Sequence, residues 1–305
     1  MIDPAAICVL ANPKSGRNSR DAQAVERAMA VFGPKATLRR WERGENLDDV
    51  VARAVADGFT TIVAAGGDGT VNGVAHGLLG KDAHFAVLPL GTFNFFARGL
   101  GLPQDPEGAA RAILNGVPKR ISVGTVNGQL FLNNASLGIY PRILQLREDV
   151  YARWGRSRLL AYWTVIATLI RFQAPRRMVL ETDQGRVDLR TPLVFVARSA
   201  YQLQRFGLSG AQAISDDAFA VFVALGGSRW HLLKLAAHLA MGRVQEGVDI
   251  RLIPTRSLTV YTHRRRPRVA YDGEKRHMRS PLKFRIQPDA LSIILPDPAE
   301  RVENP

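Results

Sequence analysis

Apolar and polar residues alternate between two periods over the first 125 residues, and this pattern predicts strands that alternate with helices. Short continuous apolar runs predict buried strands, because strands of a parallel sheet are covered on both faces. Apolar residues three or four positions apart predict amphipathic helices between them. The predicted strands are 7–11, 61–65 and 84–90, and the helical stripes begin at Val25, Leu47 and Val71.

After residue 125 the chain changes to short apolar runs separated by turn residues, which is typical of antiparallel strands. Two longer stretches, 154–172 and 230–241, predict helices within this half. The predicted fold class is therefore α/β plus β, with a Rossmann-like α/β domain at 1–125 and a β-rich, sandwich-like domain at 126–285. The C-terminal segment 286–305 is expected to return to the first domain. The strands predicted in the second half are 194–196, 220–224, 258–261 and 291–295.

Composition places the chain among globular proteins, with 46% apolar and 22% charged residues in 305. Its 41 Lys and Arg against 27 Asp and Glu give a net charge of +14, which indicates an anionic partner. Nucleic acid, anionic lipid and nucleotide phosphates all remain open on charge alone. The N-terminus shows no secretory signal pattern, and the single cysteine, Cys8, falls in a predicted buried strand. A cytoplasmic location is therefore expected.

The loop Gly66-Gly67-Asp68-Gly69-Thr70 lies between a predicted strand and a predicted helix. Its glycines allow positive φ and close backbone approach, and a helix N-terminus presents N–H groups to phosphate oxygens. In a phosphate site, Asp68 would hold Mg²⁺ or orient its water. A glycine-rich tight turn without a ligand is the alternative explanation.

Two further loops follow predicted strands of the same domain. Asn12-Pro13-Lys14-Ser15-Gly16 ends the first strand, and Pro89-Leu90-Gly91-Thr92-Phe93-Asn94 ends another. Because the carboxyl ends of parallel strands lie at one edge of a sheet, the three loops are expected to converge. Neither a Gly-x-Gly-x-x-Gly fingerprint nor a Walker loop is present.

These three motifs, in this order, resemble the diacylglycerol kinase catalytic-domain family. The segment 131–138, with Asn133, Asn134 and Ser136, and the motif Tyr271-Asp272-Gly273-Glu274 extend the resemblance over nearly the whole chain. The resemblance implies a nucleotide-binding domain at 1–125, a lipid-substrate domain at 126–285, and a cleft where ATP phosphorylates a lipid hydroxyl. It leaves the acceptor open among diacylglycerol, a sphingoid base, phosphatidylglycerol and other amphiphiles.

The resemblance also implies roles for individual residues. Asp272 would be the general base, with Glu274 beside it and Asp68 in the catalytic set. Without the other motifs, an Asp-Gly pair would indicate only a hairpin turn. The implied nucleotide-binding residues are Asn12, Lys14, Ser15, Gly66, Gly67, Asp68, Gly69, Thr70, Val71, Asn72, Thr92 and Asn94.

A structural Mg²⁺ is implied in the second domain, held by the Asp217 side chain and the carbonyls of Ile214 and Phe219, a donor set suited to a hard cation. Adjacent Asp residues are also common in plain turns. Four positions depart from the family pattern by losing a carboxylate or a glycine: Gly73, Phe95, Ser122 and Ala218. These departures leave open a non-catalytic lipid- or nucleotide-binding protein.

The predicted function is an ATP-dependent lipid kinase that uses Mg²⁺ and associates peripherally with an anionic membrane surface. The stretch 159–170 would be an interfacial helix or a packed one, and the basic run 264–268 a membrane contact or a solvated hairpin tip. A NAD kinase shares the Gly-Gly-Asp-Gly loop, but the other two motifs argue against it. No recognisable module supports a nucleic-acid partner.

Overall fold

The computed structural model describes residues 2–12, 23–42, 44–138, 175–226, 228–298 and 301–302. The chain divides into two compact units. Unit 1 comprises Met1–Val123 and Gln287–Pro305, and unit 2 comprises Gly124–Ile286. The helix predicted at 154–172 lies outside the described residues.

Unit 1 alternates strands and helices as the hydrophobic pattern predicts. Cys8 is buried in its first strand, as expected from the apolar run around it. Two helices begin at side-chain caps, where Asn46 and Asp105 accept hydrogen bonds from the backbone N–H groups of Asp48 and Gly108. The elements are β1 (Ile7–Ala11), α1 (Ala24–Phe32), β2 (Thr37–Arg40), α2 (Leu47–Ala56), β3 (Thr61–Gly66), α3 (Asp68–Leu78), β4 (His84–Pro89), α4 (Phe95–Gly99) and α5 (Pro106–Asn115).

The sheet of unit 1 is parallel, in the order β2-β1-β3-β4, and the last part of a long strand, β16 (Leu282–Leu295), pairs in parallel with β4. Strands β1 and β3 are buried at every position. Helices α1 and α5 share one apolar cluster with these strands, and α2 packs against α3. A parallel sheet in this order brings the loops after β1, β3 and β4 to one edge.

Unit 2 is built mainly of antiparallel strands. The helix predicted at 230–241 is confirmed, and it begins after Ser228, whose Oγ accepts from the backbone N–H of His231. The elements are the end of β5 (Val117–Val126), β6 (Gln129–Phe131), β7 (Asn134–Gly138), β8 (Arg176–Thr182), β9 (Gly185–Thr191), β10 (Leu193–Ala197), α6 (Ala200–Arg205), α7 (Ala211–Ser215), β11 (Phe219–Ala224), α8 (Arg229–Ala240), β12 (Ile250–Thr255), β13 (Ser257–Thr262), β14 (Arg268–Tyr271), β15 (Glu274–His277) and the start of β16.

Two antiparallel sheets form a sandwich in unit 2. One has the order β12-β11-β10-β7-β14-β15, and the other includes the path β16-β13-β8-β9. The core between them takes alternate residues from both sheets, including Phe131, Phe219 and Phe284. Helices α6, α7 and α8 cover the other side of the first sheet through a second apolar cluster. The predicted fold class, α/β plus a β-rich sandwich, is confirmed.

Candidate functional site

The loop between β3 and α3 places Gly66 and Gly67 where an added Cβ would be crowded. Gly67 precedes the first helical residue with φ −90° and ψ −178°, and none of Gly66, Gly67 and Gly69 has a positive φ. The positive φ that glycine allows is therefore not used in this loop. What requires glycine at Gly67 is space, because a Cβ there would lie 3.2 Å from the Cα of Gly91.

Gly91, in the loop after β4, is the other residue of this contact. A Cβ on Gly91 would lie 2.5 Å from the Cα of Gly67 and 2.5 Å from Oδ1 of Asn94. Real Cβ atoms do not lie 2.5 Å from backbone atoms, so Gly91 is needed for the two loops to touch, whereas a Cβ on Gly67 would require a shift of a few tenths of an ångström. Gly91 belongs to the motif 89–94 but was not among the predicted site residues.

Asn94 shapes the loop after β4. It is 4% exposed, with a left-handed φ of +52°. Its Oδ1 accepts from the backbone N–H of Gly91 at 2.9 Å, and its Nδ2 donates to the carbonyls of Pro89 at 3.3 Å and Gly91 at 3.2 Å, and to Oε1 of Gln104 at 3.2 Å. The Asn94 amide is thus committed to the loop, whereas the neighbouring Thr92 is exposed.

Asp68, the first residue of α3, joins the two loops. Its Oδ1 accepts from the backbone N–H of Phe96 at 3.3 Å, at the start of α4. Burial raises the pKa of Asp68, and hydrogen bonds from the backbone N–H groups of Phe96, Phe95 and Asn94 oppose that shift. The carboxylate therefore stabilises the position of α4 beside the glycine loop.

The end of β1 contacts the start of α3 as well. Nδ2 of Asn12 donates to Oγ1 of Thr70 at 3.4 Å, and a Cβ on Gly66 would lie 2.6 Å from that same oxygen. Val71 and Asn72 are buried within α3, whereas Gly69 is exposed. The first N–H groups of α3 have no acceptor within the helix, so this loop suits an anion. Lys14 and Ser15 lie outside the described residues.

Two departures from the family pattern have a visible structural context. A Cβ on Gly73 would lie 2.7 Å from Cδ2 of Leu47, so the glycine lets α2 pack closely on α3. Phe95 stacks on Phe93 with ring centroids 5.5 Å apart and planes 1° from parallel. An aromatic pair therefore stands where the family pattern has a carboxylate.

The Asp272-Gly273 pair is the two-residue turn of the hairpin between β14 and β15. Both residues have positive φ, +42° and +89°, as a type I′ hairpin turn requires. Glu274, the next residue, opens β15 and is exposed, whereas Asp272 is 7% exposed. The two acidic residues of the motif thus occupy different environments.

The Asp272 carboxylate holds the segment between β6 and β7. Oδ2 accepts from the backbone N–H of Leu132 at 2.6 Å, and Oδ1 accepts from those of Asn133 at 3.0 Å and Asn134 at 2.9 Å. The backbone N–H of Asp272 donates to the carbonyl of Asn134 at 3.0 Å. Sequence analysis placed 131–138 and Asp272 in one family pattern but gave no sign that they bond to each other.

The residues implied as a metal site lie around the end of α7. Asp217 has a φ of +55°, and its N–H donates to the carbonyl of Ile214 at 3.1 Å. Phe219 is fully buried, with its ring centroid 5.8 Å from that of Phe131. The Asp217 carboxylate accepts a hydrogen bond from the guanidinium of Arg198, a residue that the sequence analysis did not single out.

Comparison with known proteins agrees with the motifs. Residues 6–126 match the sequence model of the diacylglycerol kinase catalytic domain. A protein named probable lipid kinase YegS-like from Pseudomonas aeruginosa is 39% identical over 166 residues, which are 52% of this chain and 54% of that protein. A diacylglycerol kinase from Bacillus subtilis is 36% identical over 192 residues, which are 59% of this chain and 62% of that protein.

The matched part of the chain spans about half the length of the YegS-like relatives from Pseudomonas aeruginosa. A crystal structure of a diacylglycerol kinase from Bacillus anthracis str. Sterne has the same fold, with a TM-score of 0.70 at 22% identity, covering 96% of this chain and 97% of that one. Over residues 6–126, the chain is similar to the diacylglycerol kinase catalytic-domain family.

Proposed function

We propose that this protein is an ATP-dependent lipid kinase that transfers the γ-phosphoryl group to a hydroxyl of diacylglycerol or a related membrane lipid. The observation that carries the proposal is the backbone contact between Gly67 and Gly91 at the start of α3. The two glycines let the loop after β4 approach the start of α3, where the first helical N–H groups suit phosphate oxygens. The names of the relatives, lipid kinase and diacylglycerol kinase, support the lipid acceptor.

Unit 1 would bind the nucleotide through the first turn of α3, with the N–H groups of Gly69 and Thr70 and the exposed hydroxyl of Thr92 as donors to phosphate oxygens. The described residues contain no group of three or more His, Cys, Asp or Glu side chains that could hold a metal ion. Mg²⁺ fits this site as a companion of the nucleotide, held by phosphate oxygens with Asp68 as the protein carboxylate. It would neutralise charge on the transferred group.

For the proton acceptor we favour Glu274, with Asp272 as a positioning residue. Both oxygens of Asp272 accept backbone hydrogen bonds, so its carboxylate has a structural task in the folded chain. Glu274 is exposed in the same turn. Loss of a general base lowers turnover on the order of 10²-fold or more, and Glu274→Gln is expected to show this loss with little change in ATP affinity.

The test incubates purified protein with γ-labelled ATP, Mg²⁺ and vesicles made from a total lipid extract, and then separates the lipid products. Asp82→Asn serves as a matched control, because Asp82 is an exposed carboxylate in a loop of unit 1. Labelled lipid from the wild type and Asp82→Asn, with much less from Glu274→Gln, supports the proposal. Equal turnover in all three proteins contradicts the role of Glu274, and absence of labelled lipid from the wild type contradicts the kinase itself.

A second candidate is a lipid- or nucleotide-binding protein without transferase activity. The observation that favours it is the stacked pair Phe93 and Phe95, which leaves no carboxylate at position 95. Calorimetry with ATP separates the two functions when it is combined with the labelling assay. Saturable ATP binding without transfer to any lipid favours the binding protein, whereas binding with transfer favours the kinase.

Membrane association would be peripheral and electrostatic. Arg264, Arg265 and Arg266 are exposed in the turn between β13 and β14, and each basic residue near an anionic leaflet contributes ~1 kcal/mol. None of the helices among the described residues is long and apolar enough to cross a bilayer. The protein is expected to sediment with phosphatidylglycerol vesicles more than with phosphatidylcholine vesicles, and less so at high salt.

A triple Arg-to-Gln variant at 264–266 is expected to reduce this binding. The matched control replaces three exposed arginines on other strands, Arg186, Arg190 and Arg251, and removes the same charge. Equal losses in the two triple variants would show that only net charge matters and that this turn is not the contact.

A further inference from the structure

A buried arginine in unit 2 bridges the end of β10 and the end of α7. Arg198 directly follows β10, its backbone N–H donates to the carbonyl of Asn133 at 2.8 Å, and its side chain is 8% exposed. One guanidinium nitrogen donates to Oδ1 of Asp217, and another to the carbonyl of Ala218 at 3.4 Å. A single cation therefore contacts both a carboxylate and a neighbouring backbone carbonyl.

This is the place where the family resemblance implies a structural Mg²⁺. A metal ion there would neutralise the Asp217 carboxylate and orient nearby carbonyl oxygens. The Arg198 guanidinium does both, because it carries a permanent positive charge and donates in fixed directions. We propose that Arg198 takes the place of the structural metal ion, so that unit 2 of this chain is held at Asp217 by an internal cation and needs no metal there.

The metal and the guanidinium would compete for the same carboxylate. Mg²⁺ binds carboxylate oxygens at about 2.1 Å, and Arg198 already donates to Oδ1 of Asp217. Two cations on the same oxygen repel each other, and solvent at the Asp217 side chain, which is 47% exposed, weakens this repulsion without removing it. The Arg198 side chain is almost fully buried. If a metal ion displaced it from Asp217, the guanidinium would be left charged and without that partner.

The surrounding backbone is also satisfied without a metal. The carbonyl of Ile214, an implied metal ligand, accepts from the N–H of Asp217 at 3.1 Å. The carbonyl of Asp216 accepts from the guanidinium of Arg256 at 3.4 Å. Two arginines thus donate to the carbonyls that follow α7, a region where the end of a helix leaves acceptors unpaired. The residues present fit an arginine-held turn rather than a metal site.

The first test titrates nucleotide-free, chelator-treated protein with MgCl₂ and follows thermal unfolding, for the wild type and for Asp217→Asn. We expect no saturable Mg²⁺-dependent rise in the melting temperature of the wild type, and a lower melting temperature for Asp217→Asn at every Mg²⁺ concentration. A rise in the wild type that is absent in Asp217→Asn would overturn the proposal. Equal metal-free melting temperatures for the two proteins would overturn it as well.

The second test is a double-mutant cycle without metal, with Arg198→Met, which keeps an apolar stem, Asp217→Asn and the double variant. We expect a coupling of roughly tenfold or more in the folding equilibrium constant. The matched control cycle uses the exposed pair Arg177 and Asp188, for which about fivefold or less is expected. Coupling at Arg198 no larger than in the control would contradict the proposal. If Arg198→Met does not fold, the first test decides alone, and neither test depends on the proposed reaction.

Discussion

Replacement of Asp272 by Asn tests whether this carboxylate holds the segment 132–134 in unit 2. Asparagine keeps the size and the shape of the side chain. One oxygen remains and can still accept from the N–H groups of Asn133 and Asn134. The other oxygen becomes an NH₂ group that faces the N–H of Leu132. In the wild type this N–H donates to Oδ2 of Asp272 at 2.6 Å. The change therefore replaces one hydrogen bond by a contact between two donors.

The expected cost follows from the bonds that are lost or weakened. A hydrogen bond to a charged group contributes about 1.5–3 kcal/mol net, and a buried donor left without an acceptor costs about 1–3 kcal/mol. Removal of a buried charge returns part of this cost, because an isolated carboxylate is expensive to desolvate. We expect Asp272→Asn to lower the free energy of unfolding of unit 2 by about 2–4 kcal/mol.

Hydrogen exchange reports this effect where it arises. If the amides of 132–134 exchange through local opening, a loss of about 2–4 kcal/mol accelerates them roughly 30-fold to 10³-fold. Glu274→Gln is the control, because Glu274 is exposed two residues away, and it is expected to change stability by less than about 0.5 kcal/mol. Unchanged exchange in Asp272→Asn, or equal acceleration in Glu274→Gln, would refute the reasoning.

Three further predictions concern unit 1. Gly91→Ala places a Cβ 2.5 Å from the Cα of Gly67 and is expected to cost about 1–3 kcal/mol of stability in urea unfolding and to weaken ATP binding in calorimetry. Burial raises the pKa of Asp68 above its unfolded value of about 3.9. The stability of the wild type relative to Asp68→Asn is therefore greatest below that pH and falls as the pH rises through the folded pKa. Urea titrations at several pH values measure this dependence. Burial raises the pKa of Cys8 to about 11, so a thiol reagent at pH 8 is expected to modify Cys8 only after unfolding.

Local patterns predicted the fold well because the signals are themselves local. The apolar run at β1 and the helical stripe that begins at Leu47 need only their own spacing to be interpreted. The glycine loop before α3 was also visible, because strand, glycines and helix follow directly in the chain. The reason for glycine at position 67 was not visible in the sequence, since the contact that favours it comes from Gly91, 24 residues further on.

Side-chain hydrogen bonds between residues far apart in the chain could not be predicted, because the two partners are not neighbours in the sequence. Asp272 accepts from an amide 140 residues away, and Arg198 donates to a carboxylate 19 residues away. Neither distance leaves a periodicity or a motif. A hairpin turn was the alternative interpretation of Asp272-Gly273. The turn and the family motif proved to be the same feature, because the hairpin directs the carboxylate towards 132–134.

Burial divides the motif residues of this chain into two groups with different expected behaviour. Asn94 and Asp272 are buried, and their side chains bond to backbone groups, with Gln104 as a further partner of Asn94. Substitutions there act first on the shape of the loops, so a loss of activity at these positions does not identify a group that touches substrate. Thr92 and Glu274 are exposed, and substitutions there leave the scaffold intact. Kinetic effects at the exposed positions, measured on variants with unchanged stability, are therefore the evidence that can assign chemistry in this chain.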